Sequence, residues 1–225
     1  MANITVMASA AFREAYLELL PEFERASGHS VDNVWVPSVQ MMNRLKGGET
    51  TDLVILSDAA LEELMRAGIV ADRFPLAKSG IGIAVRAGAP HPDIGSAEAV
   101  KRAVLAANSI VYSTGPSGIY LRALFERMGI ARDLEGKVRQ VQGEPAGAVV
   151  ARGEAEIGFQ QMSELLPVSG IDIVGALPAA IQEVTLFSAG LHARAPQPAA
   201  ARALIAHLKA PAAAPVIRRK GMEPA

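Results

Sequence analysis

The chain has 225 residues, half of them hydrophobic, and a formal net charge of −1. This length and composition support one large domain or two smaller domains with a substantial hydrophobic core. The near-neutral charge and the aromatic content of only 4% argue against a nucleic-acid surface, which needs a basic field and stacking rings.

Strand and helix patterns alternate along the first third of the chain, as a parallel sheet requires. Short apolar runs at 4–7, 34–36 and 53–56 predict strands, and helical spacing of apolar residues follows each run. Small or polar residues stand at these three junctions: Ser9 with Ala10, Ser38, and Asp58. Each junction alone is consistent with an ordinary N-cap. Their recurrence favours a ligand site, because open α/β sheets bind ligands at the carboxyl ends of their strands.

Three further segments of this type follow in the second half of the chain. The apolar run 109–113 leads into Ser117 and Gly118, which open a helix with unpaired backbone N–H groups, a place that attracts anions. Ala146 and Gly147 begin a short helix over 145–151. A predicted strand over 155–159 is followed by Gln160 and Gln161, whose amides offer hydrogen-bond donors to carboxylates. The alternative for the first segment is an ordinary βα turn capped by Ser or Thr.

Five segments resemble type II periplasmic solute-binding proteins, near the molybdate-binding branch. They read ITVMASAAF, TDLVILSD, GPSGIY, VARGEAEIGFQQMSELLP and LIAHLKAPAAAPVIRRKGMEP. The resemblance implies an α/β fold, a two-lobed clamshell of mostly parallel sheets with two hinge strands. It implies a discontinuous first lobe, 1–80 with 187–225, and an inserted second lobe, 81–186, with a ligand cleft between them.

The resemblance also implies which residues bind the ligand, since molybdate binders hold their oxyanion with hydroxyl and backbone N–H groups. The first loop departs from the family pattern because it keeps Ser9 alone of a serine pair. Gln161 stands where those proteins usually have a tyrosine, and Lys78 with Ser79 lies at the presumed hinge. These departures favour a small organic carboxylate over molybdate. The expected ligand-binding residues are Ser9, Ala10, Ser38, Lys78, Ser79, Ser117, Gly118, Ala146, Gly147, Gln160 and Gln161.

Three functions fit this resemblance. The first is recognition of a small anion, a di- or tricarboxylate, in the cleft. The second is cofactor-independent isomerisation by allylic proton transfer, because FQQMSELLP resembles a subgroup that includes an aconitate isomerase. The third is oxyanion binding for an ABC transporter. An isomerase needs a base, and the candidates are Glu144, Asp58 and Tyr120. Each also has a structural alternative: Glu144 suits the first turn of a helix, Asp58 suits an N-cap, and Tyr120 suits a packing position.

No metal or organic cofactor is expected. The chain has no cysteine, its four histidines stand far apart, and neither GxxxxGK[ST] nor a dinucleotide GxGxxG is present. The start of the chain enters a predicted strand without a signal peptide. The sequence as written therefore predicts a cytoplasmic protein, or a periplasmic one with an ABC-transporter membrane partner if this is a processed chain.

Overall fold

The computed structural model describes residues 1–225 and confirms the α/β fold class. The chain divides into two compact units. Unit 1 comprises Met1–Ser79 and Thr185–Ala225, and unit 2 comprises Gly80–Val184. The sequence analysis placed the boundaries between the two lobes after residue 80 and before residue 187. The ligand cleft that it expected between the lobes stays a prediction.

The strands are, in chain order, β1 (Asn3–Ala8), β2 (Ser30–Trp35), β3 (Leu53–Ser57), β4 (Val70–Arg86), β5 (Ile110–Ser113), β6 (Val138–Val141), β7 (Ile157–Gln161), β8 (Ile171–Ala176), β9 (Val184–His192) and β10 (Glu223–Pro224). The α-helices are α1 (Arg13–Ser27), α2 (Ser38–Lys46), α3 (Asp58–Arg66), α4 (Ala97–Ala106), α5 (Pro116–Arg127), α6 (Ala146–Ala151), α7 (Met162–Leu165), α8 (Pro198–Leu208) and α9 (Ala214–Arg219). Single 3₁₀ turns occur at Ala10–Phe12, Ala179–Ile181 and Pro211–Ala213. None of the helices has the length and apolar character needed to cross a membrane.

Unit 1 is built on a sheet that helices cover on both faces. Strand β1 lies between β2 and β3 and is parallel to both, while β9 runs antiparallel to β3. Every residue of β3 is buried. Leu53 and Ile55 pack with the side chains of α1 and α8, and Val54 and Leu56 pack with those of α2 and α3. This two-sided burial explains why β3 reads as a continuous apolar run.

Unit 2 repeats this arrangement around a different central strand. Strand β5 is parallel to both β6 and β7, and β4 runs antiparallel to β7 and to β8. Ile110 and Tyr112 pack on one face with α4 and α5, whereas Val111 packs on the other face with α6. The carboxyl ends of the parallel strands β5, β6 and β7 consequently meet at one edge of the sheet.

One difference from the sequence-based elements affects the site. Strand β7 runs on to Gln161, and α7 starts at Met162, a helix that the sequence did not predict. The glutamine pair therefore lies inside the last two positions of a buried strand. A buried strand accepts Gln160 because its amide finds hydrogen-bond partners on neighbouring elements.

Candidate functional site

In unit 1, polar residues gather where β1, β2 and β3 end. Ser9, Ser38 and Asp58 each follow one of these adjacent parallel strands. The backbone N–H of Ser9 donates to the Ile55 carbonyl at 3.0 Å, which holds the turn against β3. Ser9 is only 5% exposed, and its Oγ has no hydrogen-bond partner. Since buried hydroxyls are normally paired, this Oγ is a candidate hydrogen-bond donor to a ligand, and that role stays a prediction.

Asp58 is held at the start of α3 by two side chains from other strands. Ser188 Oγ donates to its Oδ1 at 2.6 Å, and Arg73 Nη1 donates to its Oδ2 at 2.7 Å. Both carboxylate oxygens are thereby occupied, so the structure ties Asp58 into the packing of α3, β4 and β9. Arg73 is a cation at this edge that no motif in the sequence indicated.

Lys78 lies on the exposed side of β4. Its neighbours Ala77 and Ser79 are buried, as the alternation of a strand requires, and its backbone pairs with Glu223 of β10. Ala10 is also exposed and begins the first 3₁₀ turn. The roles of Lys78, Ser79 and Ala10 in ligand binding stay predictions.

In unit 2, the turn between β5 and α5 packs closely around Gly118. A Cβ atom at Gly118 would lie 1.6 Å from the Ser113 carbonyl oxygen, so only glycine fits there. Ser117 is 2% exposed, and its Oγ lies 3.5 Å from Ser113 Oγ. Ser113 Oγ also accepts from the Gly115 N–H at 3.2 Å. The first turn of α5 therefore presents backbone donors from a compact loop.

A chain of two hydrogen bonds links α6, β7 and α7 at the same edge of unit 2. The Ala146 N–H at the start of α6 donates to Gln160 Oε1 at 2.7 Å. Gln160 Nε2 donates in turn to Glu164 Oε1 at 2.9 Å. The β5–β7 register, with Tyr112 opposite Phe159, places Gln160 beside the start of the Ser113 turn.

Glu164 is the acidic residue at this edge that the sequence analysis missed. It is half-buried and takes part in no ion pair, and burial raises its pKa from 4.5 to about 7, against the smaller, opposing effect of the Gln160 hydrogen bond. Such a carboxyl group is present in both protonation states at neutral pH, as a general acid–base requires. Its position four residues after Gln160, in QQMSE, is the one sequence signal that could have indicated it.

Gln161 and Gly147 are not part of the hydrogen-bond chain around Gln160. Gln161 is 1% exposed and pairs with Ile81 of β4, on the opposite side of the strand from Gln160. A Cβ at Gly147 would lie 3.1 Å from the Ile171 side chain, so this glycine allows α6 to pack against β8.

The remaining two candidate bases also have partners in unit 2. Glu144 accepts from Arg139 at 3.3 Å and from Arg152 at 2.9 Å, in a largely exposed network. Tyr120 donates its hydroxyl to the Ile181 carbonyl at 2.9 Å. The catalytic roles of Glu144 and Tyr120 stay predictions. No group of three or more His, Asp or Glu side chains is arranged to hold a metal ion.

Comparison with known proteins agrees with this architecture. Residues 4–223 match the family model described as bacterial extracellular solute-binding protein. An aconitate isomerase from Pseudomonas sp. is 41% identical over 230 residues, which cover 99% of this chain and 88% of that protein. The periplasmic molybdate-binding protein of Azotobacter vinelandii superposes with a TM-score of 0.80 at 19% identity, covering 97% and 98% of the two chains. The sulfate-binding protein SubI from Mycobacterium tuberculosis superposes with a TM-score of 0.78 at 17% identity, covering 100% and 87%.

Proposed function

Since this chain belongs to the family of bacterial extracellular solute-binding proteins, we propose that it binds a small unsaturated di- or tricarboxylate and isomerises it, with aconitate as the substrate. The observation that carries the proposal is Glu164, an acid without an ion pair whose pKa is raised to about 7 at a strand end of unit 2. Strongly shifted acids in such positions are candidates for catalysis. The 41% identity to an aconitate isomerase supports the same reaction class.

The reaction needs one group that both accepts and returns a proton. The Glu164 carboxylate removes a proton from the methylene carbon of aconitate, and the electron pair of that C–H bond forms a new double bond. The original double bond shifts its electrons into the adjacent carboxylate, which gives a dienolate. Glu164 then returns the proton to the far carbon, so atoms and electrons balance without a further reactant. A pKa near the working pH suits both half-reactions.

The dienolate carries extra negative charge on carboxylate oxygens, and unit 2 offers donors to that charge. The first turn of α5, with Ser117 and Gly118, presents backbone N–H groups at the positive end of a helix of 12 residues. Donors fixed before the reaction stabilise developing charge without reorganisation. In unit 1, Ser9 and Ser38 are proposed as further hydrogen-bond donors to ligand carboxylates.

A second candidate function is carboxylate binding without turnover, for delivery to an ABC-transporter membrane component. The family description favours it, because it names solute-binding proteins. Here the donors of α5 and the unpaired Ser9 Oγ would serve recognition alone.

One experiment separates the two functions. Protein treated with a chelator is incubated with cis- or trans-aconitate in deuterated water and followed by ¹H NMR. Conversion of either isomer, or deuterium exchange at the methylene position, supports the isomerase. Binding of aconitate without exchange contradicts it and supports the binding function. Thermal shift measures binding in parallel, since a ligand at 100 times its Kd adds about 2.7 kcal/mol to the free energy of unfolding. Molybdate, sulfate and citrate serve as comparison ligands.

A further inference from the structure

The hydrogen bonds around Gln160 have one consistent direction. The Ala146 N–H can only donate, so it must meet the oxygen of the Gln160 amide, Oε1. The NH₂ group of Gln160 then faces Glu164 and donates to its Oε1. A flipped amide would set its NH₂ group against the Ala146 N–H, so that two donors would face each other. The amide orientation is therefore determined by the backbone of α6.

The anchor of this chain is rigid. Ala146 is fully buried, Gln160 is 3% exposed, and Val149 and Val150 hold α6 in the core of unit 2. Of the three residues that these two hydrogen bonds connect, Ala146 is fixed in the core. Glu164 is partly exposed and carries the exchangeable proton. The two bonds together connect a helix start to an acidic side chain through a single amide.

We propose that Gln160 is a positioning residue which keeps the exchangeable proton of Glu164 on Oε2. Because an N–H group always faces Oε1, this oxygen accepts in the ionised and in the protonated form of Glu164. In a carboxylic acid the carbonyl oxygen is the better acceptor, so Oε1 is the carbonyl oxygen and Oε2 carries the proton. The proposal rests on the proposed function, since Oε2 then becomes the atom that exchanges a proton with the substrate.

The elements of unit 2 with the main contacts to α7 are α6, β7 and the segment 80–85 of β4, and none of these three carries an ionisable side chain. The effects on the Glu164 carboxyl group are desolvation and the Gln160 hydrogen bond. Removing the amide donor should therefore be visible at Glu164 directly.

The test is made on ligand-free protein, so it does not depend on turnover. The C=O stretching band of protonated Glu164 is identified by infrared spectroscopy as the band lost in Glu164→Gln. In Gln160→Met this band is expected at higher frequency, because the carbonyl oxygen loses its donor. The titration midpoint of Glu164, measured by carboxyl ¹³C NMR, is expected to move upward by about one pH unit. Gln140→Met, the same change at an exposed residue of β6, should move neither quantity.

A second variant covers the case in which Gln160→Met does not fold. Gln160→Glu keeps an acceptor for the Ala146 N–H but places a carboxylate beside Glu164, and it should raise the titration midpoint by about one unit or more. An unchanged band in Gln160→Met, or an unchanged midpoint in whichever variant folds, overturns the proposal. If aconitate is not converted but band and midpoint move, the proposed function fails while the placement of the proton stands. If aconitate is converted, the acid limb of the kcat/KM profile should move upward together with the midpoint.

Discussion

The two units each place an acidic residue just beyond a sheet strand, and they hold it in opposite ways. In unit 1, Asp58 follows β3 directly and is bound by Arg73 and Ser188. In unit 2, Glu164 follows β7 by three positions and has an amide as its hydrogen-bond partner. The first acid has a counter-ion, whereas the second has none, and its burial raises its pKa to about 7.

This difference indicates which acid is suited to chemistry. The Asp58 carboxylate, with both oxygens engaged by an arginine and a hydroxyl, contributes to stability. Ionisation of a desolvated carboxyl group without a counter-ion is unfavourable. Its pKa is therefore raised, and it holds a proton at a higher pH than an exposed carboxyl group does. Asp58 and Glu164 both lie at the end of a strand. They differ because Asp58 has an arginine beside it and Glu164 has no counter-ion.

Glu164→Gln should give the largest effect. We expect aconitate isomerisation to fall about 10²- to 10⁴-fold, the usual range for loss of a general acid–base, while aconitate binding persists. The new amide oxygen can still accept from Gln160, so the fold should be kept. Turnover is measured by NMR, binding by calorimetry, and Glu126→Gln on the exposed face of α5 is the matched control. Full activity in Glu164→Gln would remove the contrast between the two acids.

The turns of the two units offer a second contrast, in packing. Unit 1 uses alanine and serine in its first turn, whereas the α5 turn of unit 2 requires Gly118. Gly118→Ala should lower the free energy of unfolding by about 3 kcal/mol, because the added Cβ collides with the Ser113 carbonyl oxygen. Urea unfolding measures the loss. Gly115→Ala, where the Cβ would meet Ser113 Oγ at an ordinary 3.4 Å, should cost under about 1 kcal/mol.

The raised pKa of Glu164 should also appear in the pH dependence of stability. The folded protein binds this proton up to a pH of about 7, whereas the unfolded chain releases it near the ordinary glutamate pKa of 4.5. The folded state is thus favoured below the unfolded pKa, and this contribution is lost as the pH rises through the folded pKa. Relative to Glu164→Gln, the wild type should lose about 3 kcal/mol between pH 4.5 and 7.5.

Unfolding in urea at several pH values measures this difference. The comparison with the variant cancels the other ionisable groups, because they are common to both proteins. Parallel stability curves for wild type and Glu164→Gln would show that burial does not raise the pKa of this carboxyl group.

Asp58→Asn should have a smaller effect. The side chains of Asp58 and Arg73 are 23% and 32% exposed, so loss of their charge interaction should cost about 1 kcal/mol of unfolding free energy. Glu144→Gln should cost less, under about 0.5 kcal/mol, because its arginine partners are about half exposed. Thermal unfolding at low and high salt tests the order. A larger loss for Glu144→Gln would mean that the network in unit 2 matters more than the ion pair in unit 1.

The sequence alone determined the fold class and the turns. Apolar periodicity predicted strand 53–56 within one residue of β3, and the residue types of GPSGIY predicted a strand end followed by a helix, which α5 confirms. Ser96 directly precedes α4, a position that favours serine, and its side chain accepts from the Ala99 N–H. These features succeed because side-chain periodicity, turn chemistry and capping depend on neighbours within a few residues.

Only the tertiary structure decided which polar residues have partners. Ser188 reaches Asp58 across 130 positions of the chain, and Ala146 orients Gln160 across 14. Glu144 and Asp58 were candidate bases on the sequence alone. Glu164 was not, because it lies in a short helix that no pattern predicted. The physical reason is that the pKa of an acid depends on its burial and on nearby charges, and both are set by residues that are close in space but distant in the chain.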